Sequence, residues 1–144
     1  MSFEEKSNFA TLVVLLLVFG GYFGGVANQA LTGGLSMDVP GAAFGPVFIG
    51  LAIGLAIWMT LIHIVLGVLF SREAEEGADE RDRQIETRAD AGAGYVLGAG
   101  VFTTLFMVVF NVSGFWIAHA LLAALVASEL YKGVRRAILY RMGG

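Results

Sequence analysis

The sequence predicts an all-α integral membrane protein, a four-helix bundle with both termini in the cytoplasm, and three observations carry that prediction. Hydrophobic residues make up 57% of the 144 residues, against about 45–50% in soluble proteins. Only 15% are charged, and residues 7–37, 39–71 and 91–128 contain no Asp, Glu, Lys or Arg. Each of these stretches exceeds the ~20 residues that one helix needs to cross a hydrocarbon core of about 30 Å. A soluble domain is thereby excluded. The absence of cysteine excludes a disulfide-stapled module, thiolate metal sites and thiol catalysis.

The first stretch is apolar over about 9–31 and turns polar and glycine-rich at Thr32-Gly33-Gly34, which gives one span. The second follows Pro40 and Pro46, is apolar over 47–70 and stops at Ser71-Arg72, which gives another. The third is too long for one span and long enough for two. Asn111-Val112-Ser113-Gly114 interrupts it with turn-forming residues, so spans are expected over about 91–110 and 115–133, joined by a tight hairpin. A charged loop over 71–90 and a basic tail over 134–144 complete a single membrane domain.

The basic residues set the orientation. Lys6, Arg72, Arg81, Arg83, Arg88, Lys132, Arg135, Arg136 and Arg141 all fall, with four spans, on the side shared by the N-terminus, the middle loop and the C-terminus. The opposite loops carry only Asp38. By the positive-inside rule the shared side is the cytoplasm, and the expected location is the inner membrane. The N-terminus, mixed in charge over Met1 to Lys6, lacks the basic region and small-residue cleavage site of a signal peptide. Ser2 and Glu5 have the spacing of a helix capping box, so the first helix is expected to begin there and stay attached.

Residues 71–90 hold eight acidic and four basic residues. A charge at the bilayer centre costs about 2.5–3.5 kcal/mol on insertion scales, so this block lies outside the membrane. Ala74, Ala78, Ile85 and Ala89 have helical spacing, and Asp79 with Arg83 makes an i,i+4 pair. Residues 79–90 therefore read as a helix leading into the third span, with Gly77 as a break; the alternative is a solvated charged linker. The tail from Lys132 reads as a short interfacial helix. Its bases have two candidate partners, the anionic inner leaflet, at ~1 kcal/mol per residue, and the acidic middle loop. Nucleic acid is excluded as a partner, because the chain is at −3 overall and bases after a span are ordinary topology signal.

Inside the membrane, helices associate by close packing, which small residues permit. Gly20-Gly21-Tyr22-Phe23-Gly24-Gly25 is a doubled G-x-x-x-G, Gly50 with Gly54 and Gly94 with Gly98 repeat it, and Ala120, Ala124 and Ser128 form the equivalent stripe in the fourth span. That is more small-residue surface than one bundle needs, and it points to a homodimer.

Few residues offer chemistry. His63 and His119 are the two histidines, and two intramembrane histidines on facing helices can hold a b-type haem. Depth argues against it, since His63 lies ~14 Å from Arg72 along its helix and His119 ~20 Å from Lys132. Histidines hydrogen-bonded within the bundle, beside Trp58, Thr60 or Trp116, are the expected outcome, with no cofactor and no metal. Glu129 is the one carboxylate near a span and sits a turn from Lys132, where it snorkels or pairs; Asn28 is a polar residue near the outer end of the first span. Small multidrug exporters match in length, but their first-helix carboxylate is missing here. No Ser/His/Asp set, phosphate loop or metal-ligand cluster is present in the sequence, so the chain reads as a non-enzyme.

The segment from Asp79 to Ala89, DERDRQIETRA, followed by Tyr95 and a span, resembles a signature of small prokaryotic four-span membrane proteins of uncharacterised activity. The resemblance covers about a dozen residues and implies a membrane protein with no catalytic residue to carry over. It leaves Asp79, Glu80, Arg81, Asp82, Arg83 and Arg88 as candidates for meeting a partner. The segments His63–Glu73 and His119–Glu129 are also alike, as two parallel hairpins related by an axis along the membrane normal would be. The function expected is that of an accessory or regulatory subunit engaging a cytoplasmic or membrane protein through its charged face; the alternative is a small homo-oligomeric transporter or channel.

Overall fold

The computed structural model describes residues 3–34, 41–69 and 79–142, with the side chains of 3, 41–43, 52, 55, 58, 59, 62 and 63 outside the described set. Four α-helices follow one another among the described residues: α1 (Phe3–Leu31), α2 (Gly41–Leu69), α3 (Glu80–Val109) and α4 (Gly114–Met142). Three of them, α1 from Glu4, α3 and α4, are long and apolar enough to cross a membrane. Three membrane-capable helices among the described residues thus stand where the sequence predicts four spans. The segment expected to form the remaining one is a 29-residue helix without a charged residue. It starts ahead of the predicted position and takes in Pro46, which lies in the second turn; proline is tolerated in membrane helices because neighbours re-satisfy the freed backbone group.

The hairpin between α3 and α4 falls where Asn111 to Gly114 predicts it. Asn111 takes the left-handed conformation at φ 54°, which Asn tolerates better than other side-chain-bearing residues. Ser2, the expected capping residue of α1, and Gly77, the expected break, lie outside the described residues.

Both α3 and α4 outrun their apolar sequence by similar amounts. Residues 91–109 of α3 span about 28 Å at 1.5 Å per residue, the thickness of a hydrocarbon core. The preceding residues 80–90 add about 16 Å of charged helix, and residues 132–142 of α4 add the same. The expected short interfacial helix after Lys132 does not form, because α4 continues unbroken to Met142 and finds its partner on α3.

α4 is the central helix. Its longest interface is with α3, then with α1, and α2 touches α1 and α4 more lightly. Facing residues fix the directions. Asn8 meets Gly133, Leu15 and Phe19 pack with Val126, and Tyr22 meets His119, so α1 and α4 are antiparallel. Asp90 meets Lys132 and Arg81 meets Tyr140, so α3 and α4 are antiparallel as well. The start of α1, the start of α3 and the end of α4 therefore share one end of the bundle, where the described charged residues gather.

Three glycines set the close approaches. A methyl at Gly100 would overlap Ala124 Cβ and stand 3.3 Å from its Cα. One at Gly92 would lie 2.5 Å from Tyr131 Cε1, and one at Gly133 2.5 Å from Leu12 Cδ2. Ala124 and Ser128 of the predicted fourth-span stripe are buried. The other predicted stripes face away from the bundle: a methyl at Gly20, Gly21, Gly24, Gly25, Gly50, Gly54, Gly94 or Gly98 would meet nothing within 4 Å among the described residues.

Candidate functional site

The charged end is a two-helix stalk whose local structure follows from its sequence. Asp79 caps α3, its Oδ1 accepting from the Asp82 N–H at 2.7 Å, while Asp82 Oδ2 accepts from the Asp79 N–H at 3.3 Å. This reciprocal capping box satisfies donors that a helix start leaves unpaired. It uses the Asp79 carboxylate that the spacing had offered to Arg83. Ile85 and Ala89 are buried at 2% and 0% exposure, so over 79–90 the solvated-linker alternative is excluded and the predicted inward pair is correct; residues 71–78 lie outside the described set.

Ion pairs then join the stalk along its length. Lys132 Nζ lies 2.6 Å from Asp90 Oδ1, Arg136 donates to Glu86, and Arg81 donates to the Tyr140 carbonyl at 3.1 Å. The tail bases thus find the acidic segment of the same chain. The Tyr140 phenol is hydrogen-bonded to Asp82, and burial together with that carboxylate holds it well above the ordinary phenol range. It stays a proton donor at any physiological pH.

Of the predicted partner-facing residues, Arg81 and Asp82 are thereby engaged with α4, and Asp79 with capping α3. Glu80, Arg83 and Arg88 remain on its exposed face, lining with Gln84 and Thr87 an open groove of about 270 Å³. Glu80 accepts from Gln84 Nε2 at 3.2 Å.

His119 sits at a different level, within the apolar part of α4, and is 5% exposed. Phe115 O, which can only accept, lies 2.7 Å from Nδ1, so Nδ1 carries the proton. Nε2 then accepts from the Tyr22 hydroxyl at 2.7 Å. Both ring nitrogens are thus occupied. Rings enclose it: Tyr22 stacks at 5.7 Å between centroids, Phe48 meets it edge-on at 5.0 Å and Phe115 lies at 3.9 Å. His119 therefore has no lone pair to give a haem iron. It is a buried joint between α1, α2 and α4, and of the neighbours expected from sequence Trp116 is present at 6.3 Å.

The side chain of His63 lies outside the described residues, as does that of Trp58. The position of His63 in α2 is nonetheless informative. Phe48 is level with His119, and His63 follows Phe48 by fifteen residues, about 22 Å of helix. The two histidines do not share a level, which removes the expected correspondence between 63–73 and 119–129 as well as the haem geometry. Among the described residues no group of three His, Asp or Glu side chains is placed to hold a metal ion. Asn28 is exposed near the end of α1, away from the other candidates.

Among the described residues Glu129 neither pairs with Lys132, which goes to Asp90, nor finds another partner. It closes one end of a cleft of about 250 Å³ between Leu15 and Phe19 of α1, Phe48 and Leu51 of α2 and Leu122 of α4. Apart from this carboxylate the lining is apolar.

Sequence reasoning missed Asn8, Tyr22 and Tyr140. Asn8 Nδ2 donates to the Gly133 carbonyl at 2.9 Å, buried between α1 and α4. A polar residue opening an apolar run was the available signal for Asn8. A tyrosine hydroxyl in mid-span, which must find an acceptor, was the signal for Tyr22.

The comparisons with known proteins agree with this architecture. No curated protein and no solved structure matches the chain. A family model described as the tripartite tricarboxylate transporter TctB family matches residues 9–143. That range contains α2, α3, α4 and most of α1, including both arms of the stalk. The family found is one of small membrane proteins, as expected, but the match gives no support to the segment at 79–89 as the signature of a four-span family. With its membrane-capable helices and a match over almost its whole length, the chain belongs to the tripartite tricarboxylate transporter TctB family.

Proposed function

We propose that the chain is a non-enzymatic accessory subunit of a tripartite tricarboxylate transporter, crossing the inner membrane four times with both termini in the cytoplasm. The observation that carries this reading is the family match over 9–143. The gathering of the described bases at one end of the bundle supports the orientation, and the uncharged length of α2 supports the fourth span. The subunit meets another membrane component of the transporter through the exposed face of the stalk, where Glu80, Arg83 and Arg88 are free of the contacts that hold α3 to α4. The outward glycines of α1, α2 and α3 give that component, or a second copy of this chain, a surface for close helix packing.

The test is co-purification from native membranes in mild detergent, paired with tricarboxylate uptake by the cells. Transporter components are expected to co-purify with the chain. Reversing Arg83 and Arg88 to Glu is expected to release them and lower uptake, with the chain still folded. A chain that purifies alone and moves solute by itself in proteoliposomes would refute the accessory role. Cysteines placed in α2 and in the two ends test the span count and orientation by their access to membrane-impermeant reagents.

A further inference from the structure

We propose that the cleft closed by Glu129 holds one phospholipid with a primary ammonium headgroup, its ammonium on the Glu129 carboxylate and one acyl chain lying along α4 toward Leu122. The argument starts from the cost of the carboxylate. An ionisable side chain beside the hydrocarbon region is expensive unless it is paired or reaches water. Glu129 is exposed on the surface of α4 at the mouth of the cleft and has no hydrogen-bond or ion-pair partner among the described residues, although Lys132 is only one turn away. Lys132 is committed to Asp90 at 2.6 Å, and the cleft in front of Glu129 is walled by apolar side chains from three helices.

Two features select the occupant. The first is the order of polarity. Glu129 is three residues, about 4.5 Å, inward of Lys132, where the charged stalk begins, and the apolar walls run from there into the membrane for the roughly 10 Å between Glu129 and Leu122. A phospholipid presents a polar head and an apolar chain in the same order. The carboxylate asks for a cationic head with hydrogen-bond donors, which an ethanolamine ammonium supplies and a glycerol head does not.

The second is volume. A helix is about 10–12 Å across, so a partner helix inserted over that length would need on the order of 800–1,100 Å³. Counted out to its open mouth the cleft holds about 640 Å³, less than a helix needs and enough for a single extended chain. The leaflet, but not the binding, rests on the orientation proposed above.

The full-length chain is reconstituted in nanodiscs containing equal phosphatidylethanolamine and phosphatidylglycerol, released in mild detergent, and its retained lipid identified by native mass spectrometry. One phosphatidylethanolamine per chain is expected, preferred over phosphatidylglycerol by about fivefold, the factor one interfacial ion pair supplies. The preference is expected to vanish in Glu129→Gln. Leu122→Trp, which fills the cleft, is expected to remove retention of both lipids, with helix content checked by circular dichroism.

Equal retention of the two lipids by the native chain, or an undiminished preference in folded Glu129→Gln, would overturn the proposal. So would Leu125→Cys, at a residue that also lines the cleft in a chain without cysteine, forming a disulfide with a second polypeptide in native membranes. Since lipid retention is measured on the purified chain alone, a negative lipid result leaves the accessory-subunit reading standing, and loss of that reading leaves this one intact.

Discussion

Replacing Gly100 with alanine adds one methyl group at the tightest point between α3 and α4, and the size of its effect follows from the geometry there. The new Cβ would overlap Ala124 Cβ and stand 3.3 Å from Ala124 Cα, whereas carbon pairs rest at about 3.5–4.0 Å. Neither Cβ can rotate away, because each is fixed by its backbone. The helices must separate by about 1 Å or more along their longest interface. Overpacking of this kind costs about 1–3 kcal/mol, partly offset by the roughly 0.5–1 kcal/mol by which alanine favours a helix over glycine. Net destabilisation of about 1–2 kcal/mol is expected. Gly94→Ala is the control, since a methyl there meets nothing within 4 Å, and only the helix-propensity gain remains. Reversible unfolding by SDS in mixed micelles, followed by circular dichroism, measures both. Adding Ala124→Gly to Gly100→Ala removes the overlapping atom and is expected to recover most of the loss, with a coupling energy of at least ~0.5 kcal/mol. The packing argument is refuted if Gly100→Ala unfolds no earlier than Gly94→Ala.

The same assay tests two further contacts. Tyr22→Phe removes the hydroxyl 2.7 Å from His119 Nε2 and leaves a buried acceptor unpaired, at about 1–2 kcal/mol; combining it with His119→Phe is expected to recover part of that, because neither polar group is then orphaned. Glu86→Arg sets like charges against Arg136, and the swap Glu86→Arg with Arg136→Glu restores the pair. With one partner half exposed, the difference is expected to be about 0.5–1 kcal/mol at low salt and to shrink at ~1 M. A swap no more stable than the single reversal would mean that the pair does not hold the stalk.

Much of the fold is legible in the sequence where one physical rule dominates. The cost of burying charge in hydrocarbon delimits the apolar segments, and turn chemistry at Asn111 to Gly114 divides the longest of them. Ile85 and Ala89 are recoverable because a helix repeats its buried face every three to four residues. The ends are less legible. The tail after Lys132 reads as a separate helix when considered alone, and only the acidic partners on α3, some fifty residues away in sequence, draw it into a continuous α4. Glycine motifs mislead for a related reason: G-x-x-x-G spacing marks a face suited to close packing without saying which neighbour takes it, so Gly94 and Gly98 point outward while Gly92 and Gly100, two residues or about half a turn to either side, make the contacts.

The candidate residues divide in the same way. Glu129 stands out in the sequence as an isolated carboxylate, yet its proximity to Lys132 suggests a pair that the structure gives to Asp90. His119 invites a cofactor by residue type, whereas Tyr22 and the Phe115 carbonyl occupy both its nitrogens. Membrane residence and the gathering of charge were settled by composition and order along the chain, since the bilayer acts on each segment separately through transfer energy. Which glycines touch, which bases are spent on the stalk and which carboxylate is left facing a cleft depend on helices meeting in pairs, and pairing is a property of rotation and register that no single segment contains.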